Sequence, residues 1–471
     1  MSDHVQPTGA RAAAGRRPAL AAGCLLLAAL LTPAAELPGA GGVWLDVLVQ
    51  GRGAAAALAA VGGRPLAGLP IVDGVLGRVP AAKAAHLRRA PGVRAVLNAD
   101  RHLRVQSIDP ASPEPASPAG ETAMPLDQTS PATPLRPGLG LGVAVALLDT
   151  GIAASRDLAG RVVARTDLSG ERTFSDSYGH GTFMAGLIAG DGSGGGPAGV
   201  APAARLVDLK VAGAAGSTTL GRVLLAMQLA DAGRGHLNLR VLNISLAVPA
   251  DDPAAAPLTE AVERLWADGI TVVAAAGNGG GGVDAPGIDP YVVTVGALDL
   301  TGAGQPVAPW SNRGPDVAGR PKPDLAAPGV DVVSLRAPGS TIDLANPAAR
   351  VGDAYFRGSG TSMSTAQVAG AAAAVAAAHP DWGPDQVKAA LVRTARALGA
   401  GHAALDLDAA LGLASVEPAN GDLLPLLAAG PAPAGLQARA LPAIRWVARH
   451  WAARHWAARH WAARHWATVG P

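Results

Sequence analysis

The chain has 471 residues, 49% hydrophobic and 16% charged, with a formal net charge of +2; at about 150 residues per domain this suggests two to four units, neither disordered nor polytopic in a membrane. One cysteine, Cys24, excludes an internal disulfide and a cysteine-built zinc cluster. After Asp422 there are six Arg and no acid, so the rest carries 32 Lys and Arg against 36 Asp and Glu, which gives no sign of a nucleic-acid surface.

Residues 1–17 are polar and end in Arg16-Arg17, and an apolar run follows over 20–31. Small residues around Ala34-Ala35 complete the pattern of a secretory signal over 1–35, with a retained N-terminal anchor as the alternative. The run is shorter than the roughly 20 residues that span a bilayer. Residues 43–105 read as a small α+β unit. The pattern predicts a strand over 43–49, a helix over 54–60 and a strand pair over 69–79 that turns at Asp73-Gly74. A helix over 81–89 is stopped by Pro91-Gly92, and a closing strand covers 93–97. Residues 106–137 hold eight Pro and read as a linker open to proteolysis.

From 138 to 415 the pattern changes. Short apolar strands are predicted at 143–148, 205–211, 241–245, 270–275 and 291–297. Helices are predicted at 180–189, 220–231, 258–267 and 362–379. Continuous apolar strands alternating with helices imply a mostly parallel sheet covered on both faces, with functional residues at the carboxyl ends of its strands. Residues 416–442 read as a second linker. The tail, 443–471, repeats Trp-x-Ala-Arg-His every five residues and holds five of the nine Trp. That period advances about 140° past a full helical turn, so the Trp would not form one face.

Chemistry-bearing residues sit at the ends of these elements. The strand over 143–148 runs into Asp149-Thr150-Gly151, and a carboxylate there is costly unless paired. His180 opens a helix in Gly179-His180-Gly181-Thr182 and is a natural partner. Ser362 opens another helix in Gly358-Ser-Gly-Thr-Ser-Met-Ser364. Helix-start N–H groups beside its Oγ suit a nucleophile whose transition state carries an oxyanion. Gly277-Asn278-Gly279 follows the strand over 270–275, where the Asn278 amide could donate a second oxyanion hydrogen bond.

The order Asp149, His180, Asn278, Ser362, with Asp149-Thr-Gly, His180-Gly-Thr, Ala276-Gly-Asn278 and Gly360-Thr-Ser362-Met, resembles the subtilisin-like serine proteases. The likeness covers 139–414 and includes Gly199-Val-Ala-Pro202, Asn243-Ile-Ser-Leu246 and Lys322-Pro-Asp-Leu-Ala-Ala-Pro-Gly329. It implies an α/β fold, a three-layer sandwich around a mostly parallel sheet, preceded by a small ferredoxin-like α+β propeptide domain. It also implies a secreted, self-processing serine endopeptidase acting on polypeptides, with its own propeptide as intramolecular inhibitor. In the implied roles, Ser362 attacks, His180 moves the proton, Asp149 orients His180, and Asn278 with the Ser362 N–H binds the oxyanion. Ser245, Leu246 and Ala247 would form the substrate-pairing edge strand, with Gly277 beside it. A monomer is expected, and no cofactor or metal ligand is assigned. Structural calcium, usual in the family, is left without residues.

Two positions depart from the family pattern. Ala366 stands where the family usually has Pro, and Ala247 where it usually has Gly. Pro in a first helical turn is permitted but not chemically required. A methyl at Ala247 could narrow the cleft. Asp284 has two readings: the floor of the pocket for the residue before the scissile bond, selecting Arg or Lys, or an exposed loop carboxylate. The tail also has two, contact with an anionic cell surface or an expanded repeat with no role. An inactive, protease-like binding protein is the alternative from another class.

Overall fold

A computed structural model describes residues 43–105, 138–301, 307–399 and 402–421. The expected signal (1–35), the linker 106–137 and the tail 443–471 lie outside the described residues. No helix among the described residues is long and apolar enough to cross a membrane.

In the N-terminal unit, β1 (Trp44–Gln50), β2 (Arg64–Leu69), β3 (Gly74–Pro80) and β4 (Ala95–Asn98) form an antiparallel sheet in the order β2-β3-β1-β4. Helix α1 (Ala54–Ala60) covers one face through Ala54, Ala57 and Leu58. The expected strand pair over 69–79 is corrected here. The partner of β3 is β2, and Pro70–Val72 is a 3₁₀ turn. Pro70 fixes the turn geometry, Asp73 takes a left-handed φ of 48°, and Ile71 and Val72 are buried in the core shared with the larger unit. The expected helix over 81–89 shrinks to a 3₁₀ turn, Ala81–Lys83, and one helical turn, α2 (Ala84–Leu87). It has no side-chain cap and buries only Leu87, so little drives its extension.

The larger unit is built on a nine-stranded sheet. Its strands are β6 (Ala144–Asp149), β7 (Val162–Asp167), β8 (Arg205–Lys210), β10 (Leu239–Ile244), β12 (Thr271–Ala275), β13 (Val293–Leu298), β16 (Leu325–Pro328), β20 (Arg396–Gly399) and β21 (His402–Ala404). The order is β20-β21-β16-β13-β12-β10-β6-β8-β7, and every neighbouring pair is parallel except β20 with β21. Helix α3 (His180–Ala189) packs on α7 (Thr361–Ala378), and α4 (Leu220–Leu237) packs on α5 (Ala255–Ala267). Both pairs contact strands that are buried on both faces, which gives three layers. Helix α7 runs unbroken through buried Ala366.

Val145, Leu147 and Leu148 in β6 are each 0% exposed. Burying such a side chain contributes on the order of 2 kcal/mol, enough to hold an ionisable group at the strand's end. The remaining strands are short: β9 (Ser217–Thr219), β11 (Leu246–Ala247), the pair β14 (Gly314–Pro315) with β15 (Pro321–Lys322), and β17 (Val332–Leu335), β18 (Arg350–Val351) and β19 (Tyr355–Gly358).

The two units meet on α4 and α5. Leu48, Leu69, Ile71 and Val72 join the core of the larger unit. Glu260 on α5 accepts from Arg94 Nη2 at 2.8 and 2.9 Å and from Gln50 Nε2 at 3.0 Å. Two otherwise orphaned N–H groups at the start of α4, Leu220 and Gly221, donate to the carbonyls of Arg101 and Ala99, both at 3.0 Å. The N-terminal unit ends in β5 (His102–Val105), which lies between β9 and β11. At the other end the chain stays packed through Asn420, which is 3% exposed and donates to Asp385 Oδ1 at 2.8 Å. Residues 416–421 are therefore in contact with the larger unit, and the rest of the segment read as a linker lies outside the described residues.

Candidate functional site

The parallel register aims the candidate residues at one edge of the sheet. Asp149 is the last residue of central strand β6 and is 2% exposed. His180, 0% exposed, is the first residue of α3. Its Nδ1 lies 2.8 Å from Asp149 Oδ1 and 2.9 Å from Oδ2. An ionised carboxylate only accepts, so Nδ1 carries the hydrogen and Nε2 presents its lone pair.

A second buried acid, which the sequence reading did not single out, braces this pair. Asp176 accepts from Thr150 Oγ1 (2.8 Å), Gly179 N (2.7 Å), Thr182 N (2.8 Å) and Thr182 Oγ1 (2.7 Å). It thereby caps α3 and fixes the height of His180. Burial nevertheless pushes its pKa above the usual carboxylate range. Asp176 lies three residues before the helix's N-cap residue, Gly179, outside the usual capping position, so helix-start patterning does not single it out. Gly179, at φ 110°, completes the turn, and a Cβ there would overlap Ser340 Oγ.

Ser362 is the second residue of α7 and 0% exposed. Ser362 Oγ and His180 Nε2 are both buried and have no hydrogen-bond partner among the described residues. Such bonds often tighten only when substrate binds. Asn278 is held from the same helix: its Oδ1 accepts from Thr361 N at 3.0 Å and Thr361 Oγ1 at 2.8 Å. Two donors facing this atom identify it as the oxygen, so Nδ2 points the other way, available as a donor. Thr361 is a positioning residue that sequence reasoning missed.

The candidate edge strand is occupied. In β11, Leu246 pairs with Val105 and Ala247 with Arg104, antiparallel. On the other side β5 pairs with β9, and Val105 N donates to Gly216 O at 3.0 Å. The end of the N-terminal unit thus runs as the middle strand of three. The Ala247 methyl is accommodated in this ladder. Ser245 Oγ, buried, accepts from Asn243 Nδ2 at 3.1 Å. Gly277 has a φ of 113°, and a Cβ there would overlap Asp284 Oδ2 and Asn312 Nδ2. Asp284 is half-buried rather than fully exposed, and burial pushes its pKa up to about 6. No group of three or more His, Cys, Asp or Glu side chains suited to a metal ion comes together among the described residues.

Comparison with known proteins agrees with this architecture. The model of the subtilase family matches residues 140–412. Serine protease AprX of Bacillus subtilis is 40% identical over 265 residues, covering 53% of this chain and 60% of that relative. Subtilisin Savinase of Lederbergia lenta is 37% identical over 271 residues, covering 57% of this chain and 89% of that relative. The chain thus spans 60% of the length of AprX, under two thirds, but most of the length of Savinase. Among solved structures, fervidolysin from Fervidobacterium pennivorans, described as a keratinolytic enzyme related to subtilisin, superposes with a TM-score of 0.63. At 23% identity, over 81% of this chain and 63% of that one, the likeness speaks to the fold. The family match takes in every candidate residue from Asp149 to Ser362, and the chain belongs to the subtilase family.

Proposed function

We propose that the chain is a secreted serine endopeptidase, made as a precursor in which residues 43–105 serve as propeptide and intramolecular inhibitor. The observation that carries this reading is the Asp149–His180 hydrogen bond, formed where Ser362 and the clamped Asn278 occupy the start of one helix and the loop beside it. In the proposed reaction Ser362 Oγ attacks the scissile carbonyl carbon while His180 Nε2 takes its proton. Asn278 Nδ2 and the Ser362 N–H donate to the oxygen as negative charge grows on it. The C–N bond then breaks, and His180 returns the proton to the departing amine. Water, deprotonated by the same imidazole, attacks the acyl ester and restores Ser362. Asp149 stays ionised and stabilises the imidazolium at both stages. These steps need no redox cofactor.

Polypeptide substrates would enter as an added strand between β9 and β11. The seating of β5 in that gap supports the inhibitor reading, because residues 102–105 already use the main-chain partners a substrate needs. Secretion rests on the charge and apolar pattern of residues 1–35. A monomeric enzyme and a structural calcium ion remain expectations of the family resemblance.

Labelling with a fluorophosphonate tests the reading directly. The mature wild type should be labelled at Ser362 and hydrolyse peptides, whereas Ser362→Ala should do neither. A properly folded, processed wild type that takes no label would overturn the proposed chemistry.

A further inference from the structure

Asp284 is a charged group at the cleft that peptide hydrolysis does not itself require. Two strips of backbone meet its own segment. Ala276 and Gly277 continue from β12 toward Asn278, and Val248 follows β11. The segment 284–285 bridges the two: Asp284 N donates to Ala276 O at 3.1 Å, Ala285 N to Val248 O at 2.9 Å, and Val248 N to Ala285 O at 3.0 Å. Residues 276–278 and the end of β11 thus flank the segment 284–285, and the space between them, ending at Asp284, is the candidate slot. Gly277 has no side chain, so the carboxylate lies directly against the backbone next to Asn278.

A bound peptide is directed toward this slot. In the register of β5, Arg104 lies opposite Ala247 and Val105 opposite Leu246. The strands are antiparallel, so the next residue of a substrate in the same register falls opposite Ser245. Ser245 directly follows β10, whose Ile244 pairs with Ala274 of β12. That substrate residue therefore lies at the mouth of the slot.

The carboxylate at its end is incompletely satisfied. Asn312 Nδ2 donates to Asp284 Oδ2 at 3.2 Å. No Lys, Arg or His among the described residues forms an ion pair with Asp284, whereas Asp316 pairs with Arg320 and Asp324 with Lys322 and Lys388. Its raised pKa, about 6, still leaves it ionised at neutral pH. A half-buried anion with one weak neutral donor gains most from a cation that brings its own hydrogen bonds.

We infer that Asp284 makes this slot a subsite for a Lys or Arg side chain on the residue immediately before the scissile bond. The inference rests on the endopeptidase reading and adds its substrate class.

The test uses the mature enzyme and a peptide series that places Arg, Lys, Leu, Phe or Gln before the scissile bond in an otherwise constant sequence. Arg and Lys should exceed Leu in kcat/KM by on the order of 30-fold, the scale of a desolvated charge pair. Asp284→Asn should remove most of that ratio, read as the loss of the Arg and Lys advantage over Leu within the variant's own peptide series. A wild-type preference for Leu or Phe, or a ratio unchanged in Asp284→Asn, would overturn the inference. Binding of p-aminobenzamidine, followed by its fluorescence, reads the same slot without turnover. Wild-type binding that is lost in Asp284→Asn supports the cation site even if every peptide resists cleavage, an outcome that would instead overturn the endopeptidase reading. Failure of the wild type to bind it would overturn the cation site alone.

Discussion

The two folded units solve the problem of burial differently. The N-terminal unit has a private core of Val47, Val49, Ala54, Ala57, Leu58, Val79 and Leu87 beneath one short helix. Seven further buried apolar residues, Leu48, Leu69, Ile71, Val72, Leu76, Ala99 and Leu103, belong instead to the core of the larger unit. The larger unit encloses parallel strands that are covered on both faces. A domain of about 60 residues buries only about 60% of the surface its chain exposes, and is marginal alone. The N-terminal unit is thus ordered largely through its partner, and it leaves its last strand in the partner's cleft.

The comparison can be broken most completely at Ser362. In Ser362→Ala, peptide turnover should fall by about 10⁴- to 10⁶-fold. The N-terminal unit should also remain covalently attached, which mass spectrometry of the purified chain checks. Release of the unit by that variant would show that another protease separates the two. Asn278→Ala should reduce kcat by about 10²- to 10³-fold with little change in KM, since its amide acts on charge that develops only in the transition state. An equal loss in KM alone would reassign it to substrate binding.

A third prediction concerns stability within the larger unit. Asp208 on β8 is 1% exposed, accepts from Ile152 N at 3.2 Å and has Arg165 3.8 Å away. Burial raises its pKa from 3.8 to about 7. A raised carboxylate pKa favours the fold below the ordinary value, and this contribution is lost as pH rises toward 7. Asp208→Asn should therefore stabilise the protein at pH 8 by a few kcal/mol, about 4 at the upper end. The gain should vanish below about pH 4. Thermal unfolding of both forms in a Ser362→Ala background, which prevents autolysis, gives the comparison. A gain independent of pH would refute the assignment.

The smallest effect is expected at the seam between the units. Arg94→Ala leaves Glu260, 5% exposed, without its cation. Inhibition by residues 43–105 added in trans should weaken by about 30-fold, while catalysis by the mature enzyme is unchanged. Unaltered inhibition would mean that β5 alone holds the unit in place.

The sequence made the chemistry easy to read and its setting hard to read. Asp149 ends a strand, His180 begins a helix, Ser362 lies in the first turn of another and Asn278 follows a strand by three residues, all where apolar periodicity stops and a polar residue stands out. Helix α3 was legible to the residue, and α1 likewise. Strand β5 was not: His102–Val105 alternates exposed and buried over only four residues, and its partners β9 and β11 lie more than 100 residues away. The 3₁₀ turn Pro70–Val72 was misread for a related reason. Ile71 and Val72 have the composition of a strand, but what buries them is a helix surface elsewhere in the chain.

The sequence by itself determined which groups could react and in what order they occur, because motif chemistry is local. It also determined that a parallel sheet would support them, because continuous apolar strands alternating with helices call for a sheet covered on both faces. Only the tertiary structure decided that Thr361 would fix the orientation of Asn278, that Asp176 would brace His180, and that β5 would fill the cleft. It likewise decided that Asp284 would lie half-buried against Gly277, with Asn312 donating to its carboxylate. Those facts depend on hydrogen-bond geometry and strand register between distant segments, which a one-dimensional pattern does not encode.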